Sequence, residues 1–91
     1  MNPAANRFVL YVKTGCPYVA RVLSFASERG IKFEERNIAN MRVAEELIAR
    51  GGKRQVPYLV DMEKSIEMYE SEDIVEYLRN NLSSNHHANQ S

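Results

Sequence analysis

The sequence predicts an α/β domain in the order β-α-β-α-β-β-α, and three observations predict it. A continuous apolar, β-prone run, Phe8-Val9-Leu10-Tyr11-Val12, gives way at Pro17 to apolar residues at helical spacing. A second strand-then-helix pattern lies between Ile31 and Gly52. Two short β-prone runs joined by a polar connection then precede a last helical segment. The β-α-β beginning implies parallel strands with a right-handed crossover, the later pair implies antiparallel pairing, and helices should cover both faces.

Each element has its own warrant. Phe8 to Val12 is apolar throughout, which suits a strand buried on both faces and therefore central in the sheet. Thr14-Gly15-Cys16-Pro17 breaks it, and Pro17 suits a first helical turn, where its missing N–H is not needed. Val19, Val22, Leu23 and Ala26 recur at helical spacing, and Gly30 stops that helix. Ile31 to Ile38 reads as the second strand, with Ile31 and Phe33 on one face. Asn40 is placed to cap a second helix whose apolar stripe is Ala44, Leu47 and Ile48, with Val43 at its edge, ending at Gly51-Gly52. Tyr58-Leu59-Val60, entered through Pro57, is the third strand, and Ile66 to Tyr69 the fourth. Met62 to Ser65 connects them without a special turn dipeptide. Ser71 is a good N-cap, followed by Glu72 and Asp73 where the helix dipole favours negative charge. Ile74, Val75, Tyr77 and Leu78 give the last helix its buried face. Residues 83–91 are polar and aperiodic, and are expected to form a disordered tail to a domain spanning 7–82.

Composition narrows the class. The 91 residues are 44% apolar and 26% charged, a globular balance that fits one domain. Twelve basic and twelve acidic residues cancel, so no global field draws in nucleic acid or an anionic membrane. The first apolar run is too short for a signal peptide or a membrane span. The chain has one cysteine, and with no export signal a reducing compartment is expected, most simply the cytoplasm. His86 and His87 lie in the polar tail, and no converging set of three or four ligands suggests a metal site.

Cys16 is the residue that carries chemistry. It lies between a buried strand and a helix beginning at Pro17, not within a periodic apolar stripe. The first N–H groups of a helix have no intrahelical partners, and together with the dipole they favour an anion there. Cysteines in such positions have pKa values lowered from about 8.5 into the ~3.5–7.5 range. Lys13 brings a positive charge close in the chain. A partly exposed thiolate is a nucleophile for disulfide sulfur.

Cys16-Pro17-Tyr18-Val19 resembles the glutaredoxin motif C-P-Y-C with valine in place of the second cysteine. Tyr11 to Tyr18 fits that family's first strand and loop, and Gln55-Val56-Pro57 resembles its T-V-P loop, in which the proline is cis. Tyr69-Glu70-Ser71-Glu72-Asp73 falls where the family binds the γ-glutamyl end of glutathione. The resemblance implies a thioredoxin-like (glutaredoxin) fold with a four-stranded mixed sheet and three helices, and glutathione as cosubstrate. It implies Cys16 as nucleophile, Lys13 and Gln55 on the glycyl carboxylate, and Tyr18 beside the sulfur. Val56 would pair with the cysteinyl backbone, Pro57 would shape the loop, and Ser71, Glu70 and Glu72 would hold the γ-glutamyl group.

Two departures refine this expectation. Val19 removes the resolving cysteine, which leaves a monothiol cycle acting on glutathionylated thiols or proteins, expected of a monomer. Glu70-Ser71, where glutaredoxins carry a glycine pair, resembles the N-terminal domain of glutathione transferases. A full transferase is not expected, since the chain stops where a helical second domain would start. The other readings are a glutathione-binding or regulatory module without efficient turnover, and an iron–sulfur cluster carrier. The carrier is disfavoured by Pro17-Tyr18-Val19 and by the lack of tryptophan.

Overall fold

The structure, a computed structural model, describes residues 7–87 and the side chains of residues 7–81. Its elements are β1 (Phe8–Val12), α1 (Pro17–Glu28), β2 (Phe33–Asn37), α2 (Met41–Gly51), β3 (Tyr58–Asp61), β4 (Ile66–Tyr69) and α3 (Ser71–His87). The strands form one sheet in the order β2-β1-β3-β4. β1 pairs with β2 in parallel, Phe8 opposite Phe33, and with β3 antiparallel, Leu10 opposite Leu59. β3 and β4 close the sheet as an antiparallel hairpin with Tyr58 opposite Tyr69. β1 is therefore central, which is why its run is apolar without a break.

Side chains alternate across a strand, and β1 uses both faces. Phe8, Leu10 and Val12 pack with Val19, Val22 and Phe25 of α1 and with Ile74, Val75 and Leu78 of α3. Tyr11 points the other way, into a cluster with Val43, Ala44 and Leu47 of α2 and Tyr58 and Val60 of β3. The α2 stripe is rotated from the expected one: Val43 is buried and Ile48 is 43% exposed, because the i, i+4 pair Val43 and Leu47 faces the sheet. On this side the Tyr11 hydroxyl bonds Glu46, which also accepts from Arg36 at 2.7 Å. Burial, and then the bond to Glu46, push the Tyr11 phenol up to about 12.

The element ends explain the remaining differences from the sequence reading. α1 closes in a Schellman arrangement: Gly30, at φ +69°, donates to Ser27 O, and Ile31 N donates to Ala26 O at 2.9 Å. Ile31 is thereby committed to the helix end, so β2 starts at Phe33 rather than at residue 31. Asn40 caps α2 as expected, its Oδ1 accepting from Arg42 N at 2.9 Å and Val43 N at 3.4 Å. α3 begins one position earlier than a Ser71 cap implies. The Glu70 carbonyl accepts the first helical bond from Ile74 N at 3.0 Å, and Ser71 is the first helical residue. The helix continues to His87, past the domain boundary expected at residue 82, since extending a helix costs far less than starting one. Residues 88–91 of the expected tail, like residues 1–6, lie outside the described residues, as do the side chains of His86 and His87.

The hairpin holds a residue the sequence reading passed over. Asp61 is fully buried, gripped by Arg7 through two bonds of 2.9 Å and bonded by the Tyr77 hydroxyl. Its Oδ1 also accepts the backbone N–H of Glu63 at 3.0 Å and of Lys64 at 3.3 Å, which shapes the turn. Among the described residues, no helix is long and apolar enough to cross a membrane.

Candidate active site

Cys16 is delivered by a tight turn. Its N–H donates to the Lys13 carbonyl at 3.2 Å, and Gly15 takes φ +86°, a left-handed value at the third position of the turn, where glycine is favoured. Asn37 Nδ2 donates to Thr14 Oγ1 at 3.2 Å and ties this loop to the end of β2. Cys16 itself is the N-cap of α1, with extended backbone (φ −82°, ψ 121°) and Pro17 following. Its carbonyl accepts the first helical bond from Ala20 N at 3.0 Å, while its side chain makes no capping bond. Cys16 is half-buried, packed against the α1–α3 core.

The predicted residues divide between two clefts on either side of this helix start. One, of about 320 Å³, is lined by Cys16 and Lys13 with Pro17, Leu23, Glu35 and Asn37 among others. The other, of about 430 Å³, is lined by Tyr18, Gln55, Val56, Pro57, Glu70, Ser71 and Glu72. Pro17 and Tyr18 are consecutive, so the clefts adjoin at the first turn of α1. Cys16 and Val56 both pack against the same core. The structure thus gathers seven of the nine sequence-predicted residues in one cleft and sets Lys13 with Cys16 in the neighbouring one, apart from Gln55.

The second cleft has two walls. One is the loop leading into β3, where the Val56–Pro57 bond is cis. The other is the start of α3, where Glu70 has φ +74°, rare for a residue with a side chain. Gln55 Nε2 reaches Glu70 Oε2 across the cleft at 3.5 Å. Ser71 is 8% exposed and Tyr18 64% exposed, so the serine lies at the floor and the tyrosine at the rim. Glu72 lines the cleft, but its carboxylate is held by Arg21 of α1 through bonds of 2.9 and 3.0 Å. That hydrogen bond from Arg21 lowers the Glu72 carboxyl below its ordinary value. Sequence reasoning missed Arg21, which reads as an ordinary exposed helix residue. It also missed Tyr69, whose hydroxyl accepts from Lys53 N–H at 3.0 Å and donates to the Lys53 carbonyl at 2.8 Å. No group of His, Cys, Asp and Glu side chains able to hold a metal occurs among the described residues.

A mixed sheet of order β2-β1-β3-β4, helices on both faces, a cysteine opening α1 and a cis proline before β3 make this a thioredoxin-like protein. The family model described as "Glutathione S-transferase, N-terminal domain" matches residues 10–86, and the chain belongs to that family. The Glu70-Ser71 pair pointed there. The match does not single out the monothiol glutaredoxins that Cys16 to Val19 resemble.

Solved structures agree on the fold. Glutathione transferase Omega 3C from Trametes versicolor is 25% identical, with TM-score 0.76 over 87% of this chain and 35% of its own. A glutathione S-transferase from the Antarctic clam Laternula elliptica is 25% identical, with TM-score 0.71 over 84% of this chain and 35% of its own. The transferase URE2P6 from Phanerochaete chrysosporium, solved in complex with oxidised glutathione, shares the fold at 22% identity, with TM-score 0.76 over 90% of this chain and 39% of its own. The chain spans little more than a third of the length of these transferases. A search of the curated proteins finds no match.

Proposed function

We propose that the chain is a glutathione-dependent thiol–disulfide oxidoreductase that removes glutathione from mixed disulfides by a monothiol cycle. The observation that carries this reading is the Cys16 side chain, half-exposed at the N-cap of α1 without a capping bond, beside the Gln55–Ser71 cleft. The cleft's volume lies within the range of small-ligand sites. The amides at the start of α3 suit a carboxylate, the Gln55 amide offers a donor, and Val56 packs, like Cys16, against the core shared by α1 and α3. The oxidised glutathione held by the Phanerochaete chrysosporium neighbour supports the choice of a glutathione-containing ligand.

The chemistry needs one sulfur. The deprotonated Cys16 Sγ attacks the glutathione sulfur of a mixed disulfide, an S–S bond forms to Cys16, and the original S–S bond breaks to release the substrate as thiolate. A second glutathione thiolate then attacks the glutathione sulfur bound to Cys16. Oxidised glutathione leaves and Cys16 returns as thiolate, so each turnover consumes one free glutathione and converts the mixed disulfide into one substrate thiol and one oxidised glutathione, half of which came from the mixed disulfide. Val19 stands where a second thiol would be needed for an intramolecular disulfide, and the chain has no other cysteine. Under this reading the partners are glutathione and glutathionylated thiols or proteins, the chain works as a monomer, and the compartment is a reducing one such as the cytoplasm.

The test is reduction of a glutathione mixed disulfide by the wild type and by Cys16→Ser. Loss of essentially all turnover in the serine variant is expected, and equal rates would overturn the proposal. Membership of the transferase N-terminal family favours one other reading, a glutathione-binding module. Tight glutathione binding without turnover in the wild type would select it.

A further inference from the structure

We infer that Tyr69 is a positioning residue that sets the width of the Gln55–Ser71 cleft by latching one of its walls to the other; the inference rests on the glutathione reading above. The two walls come from distant stretches of chain, the loop after α2 and the junction of β4 with α3. The side chains of the two walls are joined by the long Gln55–Glu70 bond of 3.5 Å, too weak to fix a separation. Tyr69, outside the lining itself, immediately precedes Glu70 in the chain, and its hydroxyl takes up both backbone groups of Lys53, N–H at 3.0 Å and carbonyl at 2.8 Å. Lys53 stands two residues before Gln55, so the latch fixes the loop just ahead of the side chain that faces Glu70.

The ring that carries this hydroxyl is itself held. It packs against Tyr58, its cross-strand partner, with centroids 4.4 Å apart and ring planes tilted by 54°, and Lys53 Nζ lies 5.3 Å from its centre. Its hydroxyl occupies space that only a glycine leaves open. A Cβ on Gly51 would lie 2.4 Å from Tyr69 Oη, 2.8 Å from its Cζ and 2.9 Å from Tyr58 Cε1. Gly51 therefore lets α2 end against the ring, and the ring sets where the loop begins. Hydrogen bonds from a preorganised wall spare the ligand the cost of ordering it.

The test compares the wild type with Tyr69→Phe, which keeps the ring and removes the latch. Three readouts are taken: glutathione affinity by calorimetry, KM against kcat in the mixed-disulfide assay, and hydrogen exchange at the Lys53 amide. Losing the latch should raise Kd and KM for glutathione about three- to tenfold, leave kcat unchanged, and speed Lys53 exchange. Wild-type KM and wild-type exchange in the variant would overturn the inference, as would a fall in kcat with KM unchanged. A wild type that binds no glutathione overturns the functional reading and this inference with it, and is told apart because the unmodified chain alone shows it.

Discussion

Gly15 and Gly51 are both required to be glycine, for opposite reasons. Gly15 has open space around the position of a Cβ and is constrained by its φ of +86°. Gly51 is constrained by the two tyrosine rings pressed against it. Gly15→Ala should cost about 1–2 kcal/mol, the penalty of a left-handed backbone, and should loosen the turn that presents Cys16. Gly51→Ala should cost about 1–3 kcal/mol through overpacking. Urea denaturation of both variants checks the two figures, and an unchanged midpoint for either would refute its assignment. At this scale the place of Cys16 ahead of α1 and the cis bond at Pro57 were legible because each breaks a local pattern or matches a motif, whereas Ser71, read as a cap, is the first helical residue. Gly51 read only as a helix stop, and Tyr69 only as the end of a strand opening the Glu70-Ser71 motif, because their contacts are with residues far along the chain.

Element boundaries were legible wherever a single residue supplies the chemistry of an end. Asn40 ahead of α2 is such a case, and its two side-chain bonds bear the reading out. Asn40→Ala should destabilise the domain by about 1 kcal/mol, measured as a shift in the urea midpoint, while Asn40→Asp should retain most of the stability. The boundaries that moved are those set by partners elsewhere. β2 begins late because the end of α1 uses Ile31, and α3 begins at Ser71 because Glu70 turns into a left-handed conformation. The face of α2 also moved by one residue, since Val43 and Ile48 are both apolar and only packing against the sheet decides which is buried.

Across the whole molecule, the order of strands and helices followed from the run of apolar residues, and the mixed sheet bears it out. The Arg7–Asp61–Tyr77 network was not legible, because a lone aspartate after a short strand reads as a turn residue. It joins the start of β1, the β3–β4 hairpin and α3. Burial alone would raise the Asp61 carboxyl, but the hydrogen bonds from Arg7, Tyr77 and the Lys64 N–H outweigh it and hold the group well below the usual carboxylate range. A carboxyl whose folded pKa lies below its unfolded value contributes stability above the unfolded value, near 3.9, and loses it as pH falls toward the folded one. The domain should therefore weaken progressively below about pH 5, and Asp61→Asn should flatten that acid limb. The same substitution should cost about 3 kcal/mol at neutral pH, as breaking a buried ion pair does. Urea midpoints at pH 7 and pH 3 for both proteins decide this, and parallel acid dependence would contradict it.

The monothiol cycle depends on which sulfur Cys16 attacks. Mixing the wild type with a glutathionylated peptide, without reduced glutathione, and measuring intact mass answers that directly. One glutathione bound to Cys16 and an equal amount of free peptide thiol is the predicted result. Peptide bound to Cys16 with glutathione released, or no adduct at all, would contradict it.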